Sequence, residues 1–277
     1  MPKLSRAQAA LTCEINVVNE RGERSVAAIP AERDLTIYVD KRELVTLMTL
    51  GAYPELLALG YLRNQRLVDS VQSIESITVD WEVNSAAIKT IDGIDQIEKR
   101  TAKKIVTTGC GQGSVFGGLM DEIDTIRLSH TTLSQQQLYG ITDAIRLQET
   151  TYKSAGSVHG CALFRGTEML VFVEDVGRHN AMDTIAGWMW MNAVDTLPVS
   201  DGLKTNLENA PFVFYTTGRL TSEMVMKSAQ MGVSIVISRS GMTHMGYEIA
   251  TRLGMCTIGR AMNKHYLCYT QSNRLLV

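Results

Sequence analysis

Residues 158–191 have the sequence VHGCALFRGTEMLVFVEDVGRHNAMDTIAGWMWM, and their pattern decides the fold. Two apolar runs flank a turn at Gly166, which predicts a β-hairpin. The second run is apolar on both faces, so we expect it to be a central strand. The segment from Ala181 to Met191 then has the composition and length of a helix. A strand that leads directly into a helix is typical of α/β proteins.

The alternation of strand and helix continues toward the C-terminus. Strands are predicted in PFVFYTT (211–217), VSIVIS (233–238) and MCTIG (255–259), and helices in TSEMVMKSAQ (221–230) and THMGYEIATRL (243–253). This order implies right-handed crossovers and a mostly parallel sheet covered by helices. Ser134 can cap a helix with apolar residues Leu138, Ile141 and Ile145. The sequence therefore predicts an α/β domain at 134–277.

The first part of the chain has the pattern of a smaller α+β domain, at 1–107. The run DLTIYVDKRELVTLMT (34–49) predicts a hairpin around Asp40-Lys41, Pro54 can begin a helix, and residues 77–83 alternate as in a half-buried strand. Between the domains, TTGCGQGSVFGGLM (107–120) contains five glycines. Since no regular element favours so many glycines, we predict a mobile linking loop at 108–133.

Composition excludes several classes of protein. The chain has 277 residues, 45% hydrophobic and 20% charged, with a net charge of -2. These values are typical of a folded protein and provide no basic field for nucleic acid or an anionic membrane. No signal peptide or spanning segment is evident, so we expect a cytoplasmic protein. Five widely spaced cysteines without a Cys-x-x-Cys pair predict reduced thiols and no metal site.

Arginines follow four of the predicted strands, at Arg178, Arg219, Arg239 and Arg260. In open α/β sheets, ligands bind outside the carboxyl ends of the strands, and arginine offers a bidentate fork to phosphate. We therefore predict a ligand with phosphate groups at this edge. The alternative is that exposed loops carry arginine by chance, and the pattern alone leaves it open.

Two smaller groups of residues have open interpretations. Glu174, Asp175, Arg178 and His179 crowd one strand-to-helix turn, where they could titrate together near neutral pH. Alternatively, Asp175 caps the helix and His179 is an ordinary residue of its first turn. His159 is more simply a structural histidine than a zinc ligand, because Cys161 has no Pro-Cys-x-x-Cys partner.

Cys110 lies between Gly109 and Gly111 in the predicted loop, whereas three other cysteines fall within strand patterns. A mobile, accessible thiol suits a carrier that accepts sulfur as a persulfide in one place and delivers it in another. The competing interpretation is a bystander cysteine in a linker.

Five segments together resemble one known family. TTGCG (107–111), SAGSVHGCA (154–162), VEDVGRHNAMD (173–183), GRLTSEMVMKSAQMGV (218–233) and YTQSNRL (269–275) resemble the formate dehydrogenase accessory sulfurtransferase family (FdhD/NarQ), in the same order and over most of the chain. The resemblance implies a C-terminal domain of three-layer, cytidine-deaminase-like topology without zinc, a smaller N-terminal α+β domain, and a homodimer.

The resemblance also implies a function. Such proteins take sulfur from a cysteine desulfurase and pass it to the bis-molybdopterin guanine dinucleotide cofactor, which then enters formate dehydrogenase. Cys110 would carry the persulfide, and a guanine nucleotide would mimic part of the cofactor. The family pattern places cofactor binding at Arg260, Ala261, Met262, Asn263, Lys264 and His265, to which Arg178, His179, Arg219 and Arg239 are added as expected contacts.

The chain departs from the family pattern in the loop, where Gly111, Gln112 and Gly113 follow Cys110 and the second cysteine of a Cys-x-x-Cys pair is missing. A single persulfide remains feasible. The alternative function is a chaperone that binds the cofactor without sulfur chemistry. A third, a free-standing nucleotide-processing enzyme, has less support because the chain has neither a P-loop nor a complete dinucleotide-binding fingerprint.

Overall fold

The computed structural model describes residues 1–94, 97, 123–148, 150–194 and 211–277. The predicted loop around Cys110 and most of the boundary at 108–133 lie outside these residues, so the domain division stays a prediction. Within the described part of the chain, no helix is long and apolar enough to cross a membrane.

In residues 1–94 the structure contains a five-stranded sheet, a separate hairpin and the helix α1. Its elements are β1 (Lys3–Leu4), β2 (Thr12–Val18), β3 (Arg24–Pro30), β4 (Arg33–Val39), β5 (Arg42–Thr49), α1 (Pro54–Asn64), a 3-10 turn (Val71–Ser73), β6 (Ile74–Asp80) and β7 (Ser85–Thr90). The sheet has the order β1-β6-β7-β4-β5, while β2 and β3 pair only with each other. The predicted hairpin is confirmed: Asp40 and Lys41 have φ of 48° and 71°, as a tight β-turn requires.

The C-terminal part is built on a six-stranded sheet. Its elements are a 3-10 turn (Ile123–Thr125), β8 (Leu133–Ser134), α2 (Gln135–Gln148), α3 (Thr151–Ala155), β9 (His159–Arg165), β10 (Glu168–Asp175), α4 (Arg178–Met191), β11 (Phe212–Thr216), α5 (Ser222–Gln230), β12 (Ile235–Ser238), α6 (His244–Leu253), β13 (Cys256–Met262), β14 (His265–Thr270), a 3-10 turn (Ser272–Arg274) and β15 (Leu275–Leu276). The predicted cap of α2 is confirmed, since Ser134 Oγ accepts a hydrogen bond from Gln137 N at 3.1 Å.

The strand order of this sheet, β10-β9-β11-β12-β13-β14, corrects two expectations. Strands β10 to β13 all run in the same direction, but β9 is inserted antiparallel between β10 and β11. Within this six-stranded sheet only β11–β12 and β12–β13 pair in parallel, and the other three pairs are antiparallel, so the expectation of a mostly parallel sheet is wrong. Strand β10 lies at the end of this order rather than at its centre, because β9 and β10 form a tight hairpin and only β9 continues into the sheet.

Helices cover both faces of the sheet, as expected of a three-layer α/β arrangement. One core contains Met182 of α4, Met224 of α5 and Ile249 of α6, and the opposite core contains Leu138 and Ile141 of α2. Alternate residues of the strands point into the two cores, since Phe214 of β11 belongs to the first and its neighbour Tyr215 to the second. Both faces of the central strands are therefore buried.

Helices α1 and α4 join the N-terminal and C-terminal parts of the chain. They touch backbone to backbone at two glycines: a Cβ atom on Gly60 would overlap the carbonyl group of Asp183, and one on Gly187 would overlap that of Leu56. Trp190 of α4 also packs against the core of the N-terminal sheet. Glycine is needed at this crossing because any larger residue would separate the helices.

A buried polar network reinforces the same contact. Lys227 Nζ of α5 lies 2.9 and 2.8 Å from the two carboxylate oxygens of Asp183 in α4, and Asn64 of α1 donates to Asp183 Oδ1 at 2.7 Å. Glu223 approaches Lys227 at 3.7 Å and His179 at 3.5 Å. Burial alone would lower the pKa of Lys227, but Asp183 and Glu223 outweigh it and raise that pKa. The network thus retains a charged amine at the helix contact.

Candidate functional site

The four predicted arginines lie at one edge of the six-stranded sheet. Strands β10 to β13 run in the same direction, so their carboxyl ends meet at this edge. Arg178 begins α4 shortly after β10, Arg219 and Arg239 lie in the loops after β11 and β12, and Arg260 is near the end of β13. The sequence prediction of a shared edge is therefore confirmed, although the sheet is mixed.

Backbone hydrogen bonds connect the loops at this edge. The amide of Arg239 donates to the carbonyl of Thr216 at 3.0 Å, and the amide of Arg260 donates to that of Ser240 at 2.7 Å. The hydroxyl of Ser238 donates to the carbonyl of Gly218 at 2.7 Å. Since each loop is held by its neighbour, the edge is a preorganised surface.

His159 lies near enough to Arg178 and Arg219 to be affected by their charges. Burial and then the charges of Arg178 and Arg219 lower the pKa of its imidazole. Its Nδ1 atom is 3.5 Å from the hydroxyl of Thr217. A Cβ on Gly218 would lie 2.7 Å from Cδ of Arg178, so this glycine leaves room for the buried arginine side chain. The arrangement concentrates positive charge beside a neutral imidazole, which suits an anionic ligand.

A cavity of about 240 Å³ places Arg239 beside the end of β13 and the turn that follows it. Three of the six residues that the family pattern assigns to cofactor binding line it, namely Ala261, Met262 and Asn263. Its opposite wall includes Asp143 and Arg146 of α2. The guanidinium of Arg239 lies 5.3 Å from the ring centre of Tyr152, which holds the cation in place by a cation–π contact. The tertiary structure thus joins two groups of residues that the sequence predicted separately.

The remaining residues of the turn are exposed. Arg260 has φ of 50°, and Asn263 has φ of 57°, so the chain uses left-handed conformations on both sides of Ala261 and Met262. Lys264 and His265 are exposed, and the carbonyl of Lys264 accepts a hydrogen bond from Tyr139 of α2 at 3.3 Å. This contact anchors the turn while its cationic side chains face solvent.

The structure separates the cluster that the sequence suggested around Asp175. Asp175 accepts hydrogen bonds from the hydroxyl of Thr49 at 2.5 Å and the amide of Leu50 at 3.0 Å, and also from Gly177 and Asn180. Burial raises its pKa despite these bonds. Its role is therefore to fix the start of α4 against β5, as the capping interpretation partly anticipated.

Glu174 and His179 face different directions. Glu174 accepts hydrogen bonds from the amides of Thr151 and Tyr152, at 2.8 and 3.0 Å, at the start of α3. His179 is 3% exposed and pairs with Glu223 rather than with either carboxylate of its own turn. A residue so deeply buried supports the arginine-bearing edge from beneath and does not reach its surface.

The thiol that the sequence singled out, Cys110, lies outside the described residues. Cys161 lies in β9 and is fully buried; its Sγ is 3.3 Å from the hydroxyl of Thr216, and burial raises its pKa to about 12. It therefore carries no thiolate at neutral pH, as expected for an inert core cysteine. Within the described ranges, no three His, Cys, Asp or Glu side chains are grouped so as to hold a metal ion.

Sequence reasoning favoured a structural role for His159 and missed that it lies within the influence of the charges of Arg178 and Arg219. His159 is the first residue of β9, and the sequence pattern indicated ligand-binding residues only at the ends of strands. Because β9 runs antiparallel to the strands that the arginines follow, its first residue lies at the edge where those strands end. The start of an antiparallel neighbour reaches the same edge as the ends of those strands. Knowledge of the strand pairing was needed to find it.

Comparison with known proteins gives a consistent result. A family model described as the FdhD/NarQ family matches residues 30–276. The sulfur carrier protein FdhD of Halalkalibacterium halodurans is 28% identical over 251 residues, which cover 90% of this chain and 88% of that protein. The protein of the same name from Bacillus subtilis is 27% identical over 260 residues, covering 92% and 94%.

A crystal structure from Desulfotalea psychrophila, described as a formate dehydrogenase accessory protein, superimposes with a TM-score of 0.72. The two chains are 21% identical, and the match covers 96% of this chain and 98% of that one. At this identity the likeness concerns the fold.

Proposed function

The chain belongs to the FdhD/NarQ family, and from this premise we propose that it is a sulfur carrier that takes sulfur from a cysteine desulfurase and delivers it to the bis-molybdopterin guanine dinucleotide cofactor of a formate dehydrogenase. The reaction would take place in the cytoplasm, where thiols stay reduced. The cofactor is cargo in this proposal, and the protein supplies its binding surface and the transferred sulfur.

Sulfur transfer is assigned to Cys110. Its thiolate attacks the terminal sulfur of a persulfide on the desulfurase, which leaves a thiolate on the donor and a persulfide on Cys110. The flanking residues Gly109 and Gly111 carry no side chains that would obstruct this attack. The chain then presents the sulfane sulfur to the bound cofactor.

The observation that carries the proposal is the edge where Arg239 and residues 261–263, at the end of β13 and the start of the next turn, line one cavity. The guanine dinucleotide cofactor carries several phosphates, and arginine binds phosphate through two parallel hydrogen bonds. The exposed Arg219 and Arg260 extend the positive surface beyond the cavity, and Lys264 continues it along the turn with His265 beside it. Arg178 is buried and adds its charge from within the fold. A guanine nucleotide is expected to occupy part of the same surface.

A homodimer is part of the proposal and is supported by the separate hairpin β2–β3. One of its faces carries Val18 and Val26, which are 63% and 61% exposed, and on the other face Ile15 is 39% exposed. A two-stranded hairpin is at best marginally stable when it stands alone in water. A second copy of the chain would cover these side chains, and a Val26→Lys variant should then elute as a monomer in size-exclusion chromatography with light scattering.

The test of sulfur transfer is mass spectrometry after incubation with a cysteine desulfurase and cysteine. We expect one added sulfur atom on the peptide that contains Cys110, and none there in a Cys110→Ala variant. Cys13→Ala serves as the matched control, because Cys13 is an exposed thiol in β2 and should not affect loading. Equal loading of the parent and the Cys110→Ala variant would contradict the assignment.

A second candidate function is favoured by Gly111, Gln112 and Gly113, which stand where the family pattern has the second cysteine. Without that thiol the protein could serve as a chaperone that binds the cofactor and delivers it unchanged. A Cys110→Ala variant that binds guanine nucleotide and still activates formate dehydrogenase would favour the chaperone. Loss of activation with binding intact would favour the sulfur carrier.

A further inference from the structure

A pair of thiols lies on the hairpin that carries the candidate cofactor-binding turn. Cys256 is in β13 and Cys268 is in β14, so residues 260–265 fall between them in the sequence. The two side chains lie on the same face of the sheet, and Cys268 packs against the core cluster that contains Cys256. Neither thiol has a place in the proposed sulfur carrier, whose sulfur is bound to Cys110.

A β-bulge brings these thiols to the same face of the sheet. Thr257 pairs with Thr270, but the next residue, Ile258, pairs with Cys268, so Tyr269 is an extra residue in β14. In regular pairing Cys268 would oppose Gly259 and face the other side of the sheet. The bulge instead places it opposite Ile258, on the face that Cys256 shares.

Hydrogen bonds hold the bulge. The hydroxyl groups of Thr257 and Thr270 lie 2.6 Å apart, and Thr270 Oγ1 also donates to the carbonyl of Met255 at 2.6 Å. The amide of Thr257 donates to the same hydroxyl at 3.1 Å. The displacement of Cys268 is therefore built into the hairpin and does not depend on a rotamer of one side chain.

The two thiols differ in environment. Cys256 is fully buried, whereas Cys268 is partly exposed. Interaction with the Cys256 thiol lowers the pKa of Cys268, and the same interaction together with burial raises the pKa of Cys256. An accessible thiol of low pKa beside a buried one of high pKa is the arrangement of a nucleophilic and a resolving cysteine.

We propose that Cys268 and Cys256 form a second sulfur-handling site, which takes sulfane sulfur from a persulfide and releases it as sulfide. The Cys268 thiolate attacks the terminal sulfur of the donor persulfide, which yields a Cys268 persulfide and the donor thiolate. Cys256 then loses its proton, attacks Sγ of Cys268 and expels hydrogen sulfide anion. The two thiols are oxidised to a disulfide by two electrons, and the sulfane sulfur is reduced by the same two electrons.

The cycle closes when an external dithiol reduces the disulfide. The site would then supply sulfide close to the cofactor-binding turn. Cys268 lies opposite Ile258, and Ile258 is about four residues before the end of β13, which corresponds to roughly 13 Å along the strand. In the chain as it exists, this pair would compensate for the cysteine missing after Cys110. The site itself requires only a persulfide and does not require Cys110.

The test uses a Cys110→Ala chain, reduced and freed of reductant, with glutathione persulfide as the probe. We expect released sulfide and a Cys256–Cys268 disulfide, identified by peptide mass spectrometry. A further Cys256→Ala change should stop resolution and leave one added sulfur on Cys268. A further Cys268→Ala change should reduce sulfide release about tenfold or more. Cys161→Ala is the matched control, because Cys161 is a buried thiol with a pKa near 12.

A measurement on the unsubstituted chain guards against variants that fail to fold. Iodoacetamide should alkylate Cys268 faster than Cys161, with a pH midpoint below that of an ordinary cysteine. Alkylation of Cys268 no faster than of Cys161, or absence of both the disulfide and the Cys268 persulfide in folded variants, would overturn the proposal. If the parent chain still loads Cys110 in that case, the sulfur carrier stands and only the second site fails.

Discussion

The most direct stability prediction concerns Lys227, whose amine is buried between α4 and α5. A Lys227→Met substitution removes the charge but keeps a long side chain of similar volume. Asp183, whose side chain is fully buried, then loses the cation that lies 2.8 Å from it, while Asn64 continues to donate to it. Breaking a buried pair by removing one partner costs about 3–5 kcal/mol.

Lys227→Met should therefore lower the free energy of unfolding by about that amount, and a chain of this size should melt roughly 10 °C lower. Guanidinium unfolding followed by circular dichroism measures the loss. The matched control is Lys89→Met, which breaks the exposed 2.7 Å pair with Glu75 and should change stability by less than about 1 kcal/mol.

A double-mutant cycle isolates the pair. The Asp183→Asn substitution removes the negative charge that Lys227→Met leaves without a partner. The free energy of unfolding of the double variant should therefore exceed, by about 1 kcal/mol or more, the value expected from adding the effects of the two single substitutions. A loss below about 1 kcal/mol for Lys227→Met, or additive effects in the double variant, would refute the reasoning that a charged pair holds the two helices.

Three other outcomes are expected. Gly60→Ala should sharply lower the melting temperature, because the new Cβ atom would overlap the carbonyl group of Asp183. Gly140→Ala in α2, where the nearest atom to a Cβ is 3.7 Å away, should leave the melting temperature unchanged or raise it. Equal effects of the two substitutions would exclude a tight helix crossing. Arg239→Ala should weaken the binding of guanosine diphosphate, measured by calorimetry, by about 10- to 100-fold. Arg165→Ala, at the opposite edge of the sheet, should leave the affinity unchanged. If the two variants bound the nucleotide equally well, the cavity would not belong to the proposed site. Burial and the charges of Arg178 and Arg219 lower the pKa of His159 in the folded chain. The unfolded chain therefore binds the proton at a higher pH than the folded one, and the free energy of unfolding should fall as the pH drops through about 6.5. Urea unfolding of a His159→Gln variant should depend less on pH in this range, and a profile identical to that of the parent chain would contradict the shift.

Local patterns in the sequence determined most elements of this protein. The hairpin at Asp40-Lys41, the helix after Pro54, the cap at Ser134 and the alternating strands and helices after Val158 were all predicted and are all confirmed. These features depend on hydrogen bonds and side-chain periodicity within a few residues, which the sequence displays directly. The four arginines at strand ends were found for the same reason.

Only the tertiary structure decided how these elements meet. The antiparallel insertion of β9 moved β10 to the end of the sheet and brought His159 to the arginines, and Asp175 bonds to Thr49, which is 126 residues away. The bulge at Tyr269, which turns Cys268 toward Cys256, depends on the register between two strands. Strand order and register are set by the free energy of packing distant surfaces together, and no local pattern encodes them. The sequence therefore determined which residues could perform the chemistry, and the packing decided which of them lie together.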